Sequence, residues 1–272
     1  MEKQKLKKLI DVSAGREPAD LVIRNCKIID VYSGEITHGD IGIVNGLIAG
    51  IGNYEALEEV DADGLYAGPG LIDSHIHIES SYVTPEEISR LLVPFGTTTI
   101  IADPHEIVNV CGFDGLEYML NSAEELPLSI KYMLPSCVPS TPYETSGANL
   151  GAKEMDEALE NYDLLGIGEF MDFVGVSQGS DLALEKLLVA KKFGKTIDGH
   201  SPGLSGKLLN AYVASGVGTD HECSTIEEMK ERIAAGMFIQ LREGSAAKNL
   251  EDLIKGVNSN NTRRCLLCSD DR

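Results

Sequence analysis

From Gly70 onward, short apolar runs and helix-forming stretches take turns eight times, and few folds accommodate that rhythm. The runs occupy 70–76, 97–102, 128–134, 164–168, 196–199, 217–219, 237–241 and 264–269. Between them lie helical stretches at 84–94, 113–125, 152–162, 181–193, 205–215, 225–235 and 249–257. Several of these open with a capping residue: Thr84 precedes Pro85, and Thr225 is followed three residues later by Glu228. Strands alternating with helices imply parallel pairing. Eight of them predict an α/β fold, a closed (β/α)8 TIM-like barrel whose chemistry sits at the C-terminal strand ends. An open doubly wound sheet is the alternative. It would need a Gly-rich phosphate loop after its first strand, where this chain carries Asp73-Ser-His-Ile-His.

Residues 20–66 read differently. Apolar β-branched runs at 21–23, 27–31 and 41–44 are separated by turn signals at Ser33-Gly34 and Asn45-Gly46, which predicts a small antiparallel sheet. A short amphipathic helix over 5–10 precedes it and ends before Gly15. The expected organisation is an N-terminal helix (1–18), a small β domain (19–66) that is the N-terminal part of a β-sandwich, and a barrel (67–272).

The chain carries 43 acidic and 23 basic residues, a net charge of -20, so it repels a phosphate backbone and nucleic acid is not an expected partner. No apolar run reaches the ~18 residues of a membrane span, and the N-terminus lacks a signal peptide's apolar core. The six scattered cysteines fit reduced thiols and a cytoplasmic location. Cys265-Leu-Leu-Cys268 resembles half a zinc site, but positions three apart on a strand face opposite ways.

The histidines carry the chemistry. Five of the six, His75, His77, His105, His200 and His221, fall just past predicted strands on one rim, and only His38 lies elsewhere. Residues i and i+2 of a strand share a face, so His75 and His77 can hold one cation together. Acidic residues stand at the same ends: Glu106, Glu169 and the pair Asp270-Asp271. Imidazole and carboxylate together suit divalent zinc, iron or manganese. Glu169 can bridge two such ions, which would activate a water, and Asp270 can carry its proton. Such chemistry needs no serine or cysteine nucleophile. The loops at Pro135-Ser136-Cys-Val-Pro and Glu144-Thr-Ser-Gly read equally as turns or as pocket walls, and Arg242-Glu-Gly-Ser is left unassigned.

Pro69-Gly-Leu-Ile-Asp-Ser-His75-Ile-His77 after a small β domain resembles the amidohydrolase superfamily. Ala102-Asp-Pro-His-Glu-Ile, Gly168-Glu-Phe-Met, Asp198-Gly-His-Ser-Pro-Gly-Leu, Thr219-Asp-His-Glu, Leu241-Arg-Glu-Gly-Ser-Ala-Ala and Cys268-Ser-Asp-Asp-Arg narrow the resemblance to the microbial adenine deaminase family, over about 19–272. The resemblance implies hydrolysis of adenine to hypoxanthine and ammonia in purine salvage. It also implies two divalent ions, Mn(II) first, with Fe(II) or Zn(II) as alternatives. His75 and His77 would bind the first ion, Glu169 would bridge, and His200 and His221 would bind the second. Asp270, the residue directly after the strand's Ser, would ligate and shuttle protons in preference to Asp271. His105 is assigned a catalytic place near the metals, and Glu106 and Ser136 are assigned to substrate. A dihydroorotase- or hydantoinase-like enzyme acting on a cyclic amide is the alternative, but such relatives carry a carbamylated lysine where this chain has Glu169. A non-catalytic metal-binding chain is a further alternative. The barrel has only about 200 residues and stops just after Asp270, short of the ~250 typical of the fold. The chain is therefore expected to be the N-terminal part of a longer enzyme, a homodimer when whole.

Overall fold

A computed structural model describes residues 1–141 and 143–272, which fall into two compact units, Met1–Pro69 and Gly70–Arg272. In the first, helix α1 (Lys3–Ser13) precedes strands β1 (Ala19–Asp30), β2 (Glu35–Val44), β3 (Leu47–Ile51), β4 (Ala56–Asp61) and β5 (Tyr66–Ala67). They form one sheet in the order β3-β2-β1-β4, with β5 also on β1. The β1–β2 and β2–β3 pairs are antiparallel, as the turn signals predict, whereas β4 and β5 lie parallel to β1. Asn45 and Gly46 both take positive φ at the β2–β3 turn, the conformation that turn requires. Val12 of α1 packs with Ala19, Val22 and Val44 into one small core.

The second unit is built on parallel strands. They are β6 (Leu71–His77), β7 (Thr97–Ala102), β8 (Ser129–Tyr132), β9 (Gly166–Phe170), β10 (Thr196–Gly199), β11 (Thr219–Asp220), β12 (Phe238–Arg242), β13 (Cys265–Cys268) and β14 (Asp270–Asp271). Parallel ladders join β6 to β7 and β7 to β8, β9 to β10, β11 to β12 and β12 to β13. Two short links fill the gaps: Leu134 bridges to Ile167, and the Gly218 N–H donates to the Ile197 carbonyl. The last strand is broken at Ser269, and its outer piece, β14, pairs with β6. Among the described residues each strand therefore has a neighbour on both sides.

Helices α2 (Pro85–Leu92), α3 (His105–Cys111), α4 (Phe113–Ser122), α5 (Ala152–Asn161), α6 (Phe173–Gln178), α7 (Asp181–Lys192), α8 (Gly206–Ala214), α9 (Ile226–Ala234) and α10 (Leu250–Leu253) occupy the connections. Their apolar faces and the strands share one core that includes Ile76, Ile100, Leu116, Leu134, Met155 and Ile167. Helices α3 and α6 are absent from the sequence expectation. Both are under two turns long and rich in valine, too short to show a helical period. Among the described residues no helix is long and apolar enough to cross a membrane.

Helix α9 begins with the capping box that the sequence predicts. Thr225 Oγ1 accepts the Glu228 N–H at 3.2 Å, and Glu228 Oε2 accepts the Thr225 N–H at 3.1 Å. Thr225→Ala leaves one of these N–H groups to water. It is expected to lower stability by about 1 kcal/mol, read as an earlier denaturation midpoint at unchanged slope. An unmoved midpoint would show that the cap contributes nothing. One turn further on, Arg232 is fully buried with its Nε 2.9 Å from Asp220 Oδ2, and Asp220 Oδ1 accepts both the Ser201 N–H and its hydroxyl. This buried pair locks the end of β11 to the segment after β10, where His221 and His200 stand.

Candidate metal centre

The strand ends bring the five rim histidines together. His75 and His77 share a face of β6, and both are buried. His75 Nδ1 donates to Asp198 Oδ2 at 2.8 Å, and His77 Nδ1 donates to the Asp103 carbonyl at 2.9 Å. Because each ring hands its Nδ1 proton outward, each directs its Nε2 inward, and the two Nε2 atoms lie 3.1 Å apart. Asp270 Oδ1 faces both, 3.5 Å from His75 and 3.2 Å from His77.

Glu169 projects from β9 into the middle and is almost wholly buried. Its two oxygens face opposite groups. Oε1 lies 3.4 Å from His77 Nε2 and 3.2 Å from His105 Nδ1, whereas Oε2 lies 2.7 Å from His200 Nδ1 and 3.3 Å from His221 Nε2. The preceding residue must be small: a Cβ on Gly168 would collide with the Asp103 carboxylate. That carboxylate accepts the Glu169 N–H at 2.8 Å, and the Ser136 hydroxyl donates to the Glu169 carbonyl at 2.6 Å. Ser136 thus stands behind Glu169 and does not line the larger cavity beside the centre. Its hydroxyl donates to Glu169, and Ser136 lines a separate cavity of about 180 Å³ with Val138, Asn149 and Lys186.

Asp270 has a φ of 59°, in the left-handed region that Asp and Asn tolerate better than most residues. Asp73 fixes the turn by accepting the Ser269 N–H at 3.1 Å together with its hydroxyl. Of the two adjacent aspartates, Asp270 is the buried one that faces the histidines. Its Oδ2 accepts from Arg242 Nη1 at 2.7 Å, and the same nitrogen pairs with Glu222. His105 heads helix α3, and Glu106 follows it with Oε2 3.6 Å from His77 Nδ1.

The field in this cluster favours positive charge. Burial works against protonating His77, yet Asp270 and Glu169 raise it to about 9. Burial likewise opposes ionisation of Glu169 and Asp270, but the surrounding imidazoles hold both carboxyls well below the usual range. Nitrogens turned inward, carboxylates between them and a field that welcomes cations all fit divalent ions. His75, His77 and Asp270 form one compact donor set, and His75, Glu169 and His221 another. His77, His105 and Glu169 form a third, and His200, His221 and Glu222 a fourth. Among the described residues the cysteines belong to no such set, and all six are free.

A cavity of about 490 Å³ opens beside the centre, lined by His105, Glu106, Asn109, Cys137, Glu144 and Met171 among others. His105, Glu106 and Met171 also border the cleft that holds the donors. The cavity has the size of a small-molecule site. The Glu144-Thr-Ser-Gly segment is one of its walls. Sequence reasoning gave no role to Asp103, Asp198 and Glu222, and left Arg242 unassigned. Their only signal was a charged residue near a predicted strand end, which many solvated positions share.

The amidohydrolase family model matches residues 66–271. An adenine deaminase 2 from Desulfotalea psychrophila is 62% identical over 271 residues, covering 100% of this chain and 47% of that protein. An adenine deaminase from Ligilactobacillus salivarius is 55% identical over 272 residues, again covering 100% of this chain and 47% of the relative. The chain thus spans about half the length of the curated relatives it matches. Among solved structures, an atrazine chlorohydrolase from Arthrobacter aurescens in complex with zinc superposes with a TM-score of 0.63 at 13% identity, over 92% of this chain and 72% of that one. A dihydroorotase gives a TM-score of 0.55 at 17% identity, over 92% and 71%.

Proposed function

The chain belongs to the amidohydrolase family, and from that premise we propose that it carries the metal centre of an adenine deaminase, which hydrolyses adenine to hypoxanthine and ammonia. The observation that carries this reading is Glu169, one buried carboxylate offering each oxygen to a different group of histidines. A cyclic-amide hydrolase would have a carbamylated lysine there, so the glutamate favours the deaminase.

We assign His75, His77 and Asp270 to a first divalent ion, and His200 and His221 to a second, with Glu169 between them. Mn(II) is the first choice of ion, with Fe(II) or Zn(II) as alternatives. When bound, such ions supply Lewis acidity that brings a water to nucleophilic strength near neutral pH. Asp270 takes the proton from the attacking water and returns it to the departing amine, and Arg242 and the two histidines fix its carboxylate for that task. Glu169, held from behind by Asp103 and Ser136, sets the spacing of the two groups. His105 and Glu106 stand between the donors and the 490 Å³ cavity, where they can meet the purine ring. On the same reading, the N-terminal sheet is one layer of a β-sandwich. The exposed apolar side chains of Ile48, Ile51 and Val60, on one face of its strands, support this, because a second layer would cover them.

The test is direct. Purified protein loaded with Mn(II) is given adenine, and ammonia release is followed alongside the ultraviolet change to hypoxanthine. Turnover of adenine is the expected result. Turnover of dihydroorotate or a hydantoin without adenine would overturn the substrate assignment, and bound metal without any turnover would leave a metal-binding protein rather than an enzyme.

A further inference from the structure

We propose that Glu222 is a fourth protein ligand of the second metal position, and that Arg242 holds it there. The proposal rests on the two-ion reading above and extends it to a residue outside the ligand set assigned there.

Glu222 follows His221 directly at the end of β11. Its Oε1 lies 3.5 Å from His221 Nε2 and 3.8 Å from His200 Nδ1, the two nitrogens that already converge on Glu169 Oε2. His200, His221 and Glu222 therefore present three donor atoms within 4.8 Å of one another. With Glu169 alone, the second position has two imidazoles and one carboxylate. With Glu222 it has a matched pair of each.

The charge balance points the same way. Glu169, Asp270 and Glu222 keep little exposure, at 4%, 9% and 16% of their side chains. Among these three anions stands one guanidinium, Arg242, whose Nη1 joins Glu222 to Asp270. Buried carboxylates without enough positive charge are costly, and one arginine does not balance three. Arg242 is thus better understood as a brace than as a full counter-ion. It ties a donor of the second position to a donor of the first and keeps both aimed inward.

A second carboxylate changes which ion the position prefers. Two oxygens and two nitrogens, with room for solvent, suit the higher coordination and harder character of Mn(II) or Fe(II) over tetrahedral zinc. Glu222 should therefore influence metal choice as well as affinity.

Equilibrium dialysis of the purified protein against Mn(II) and Zn(II), with a competing chelator, measures both. Wild-type protein should hold two ions. Glu222→Gln keeps the size of the side chain and a hydrogen bond to Arg242 but loses the charge. It should leave one ion untouched, weaken the other by about 10–100-fold, and lower the Mn(II)-to-Zn(II) preference of the weakened one. Two ions bound by Glu222→Gln with unchanged affinity and preference would overturn the proposal while leaving the two-ion reading intact. A single ion in the wild type would overturn that reading and the proposal with it. Glu222→Asp keeps the pairing charge for Arg242 but shortens the reach, so it carries the test if Glu222→Gln does not fold. It too should weaken the second ion alone, and unchanged affinity would overturn the assignment.

Discussion

On the proposed two-ion deaminase reading, Glu169→Gln is expected to remove the paired metals and the deaminase activity together. Each oxygen of Glu169 faces a different histidine group, so one substitution removes a donor from both positions. The amide is isosteric and keeps its backbone N–H on Asp103, so the fold should survive. Its remaining oxygen is neutral, and its NH₂ group would face imidazole nitrogens that need a cation or an acceptor. Changes to groups merely supporting a ligand cost about 10–100-fold in metal affinity, so loss of the shared ligand should cost at least that much at each position. Elemental analysis after gel filtration should find fewer than two ions per chain, with an unchanged circular dichroism spectrum. Two ions retained at wild-type affinity would remove Glu169 from the bridging place.

The first stage of this arrangement was legible in the sequence because strands impose a period of two. His75 and His77 had to share a face, and the recurrence of His or Glu after successive apolar runs placed them on one rim. What stayed hidden depends on tertiary contact. Asp198 orients His75 across 123 positions of chain, and nothing local distinguishes it from any aspartate near a strand end. Asp103 supports Glu169 only because the close approach of Gly168 brings the two strands together. Ser136 lines a cavity in its loop, and nothing local shows that its hydroxyl turns back to a carbonyl of the neighbouring strand. Helix α3 escaped because seven residues with two valines and an isoleucine carry no helical signature, although it decides where His105 and Glu106 point. Sequence periodicity thus located the rim and most of its donors, and side-chain partnership across strands supplied the rest.

On the same proposed reading, Asp270→Asn is expected to lower kcat for adenine by about 10²–10⁴-fold, the usual worth of a positioned acid–base group. The substitution isolates chemistry from architecture unusually well at this position. Residue 270 sits at a φ of 59°, and Asn is the side chain that tolerates the left-handed region as readily as Asp. The Asp73 clamp on Ser269 acts on the preceding residue and is untouched. Arg242 can still donate to an amide oxygen. What disappears is the negative charge and the capacity to hold a proton. Burial pushes the Asp270 carboxyl up, but His75 and His77 outweigh it and hold the group well below the ordinary carboxylate range. In the metal-free protein the group therefore stays ionised at neutral pH. Asp271→Asn is the matched control, because Asp271 is only half-buried and, among the described residues, belongs to none of the compact donor sets. It should leave kcat within a few-fold of wild type, whereas equal losses in the two variants would mean that the turn itself, not the carboxylate of Asp270, is what activity depends on.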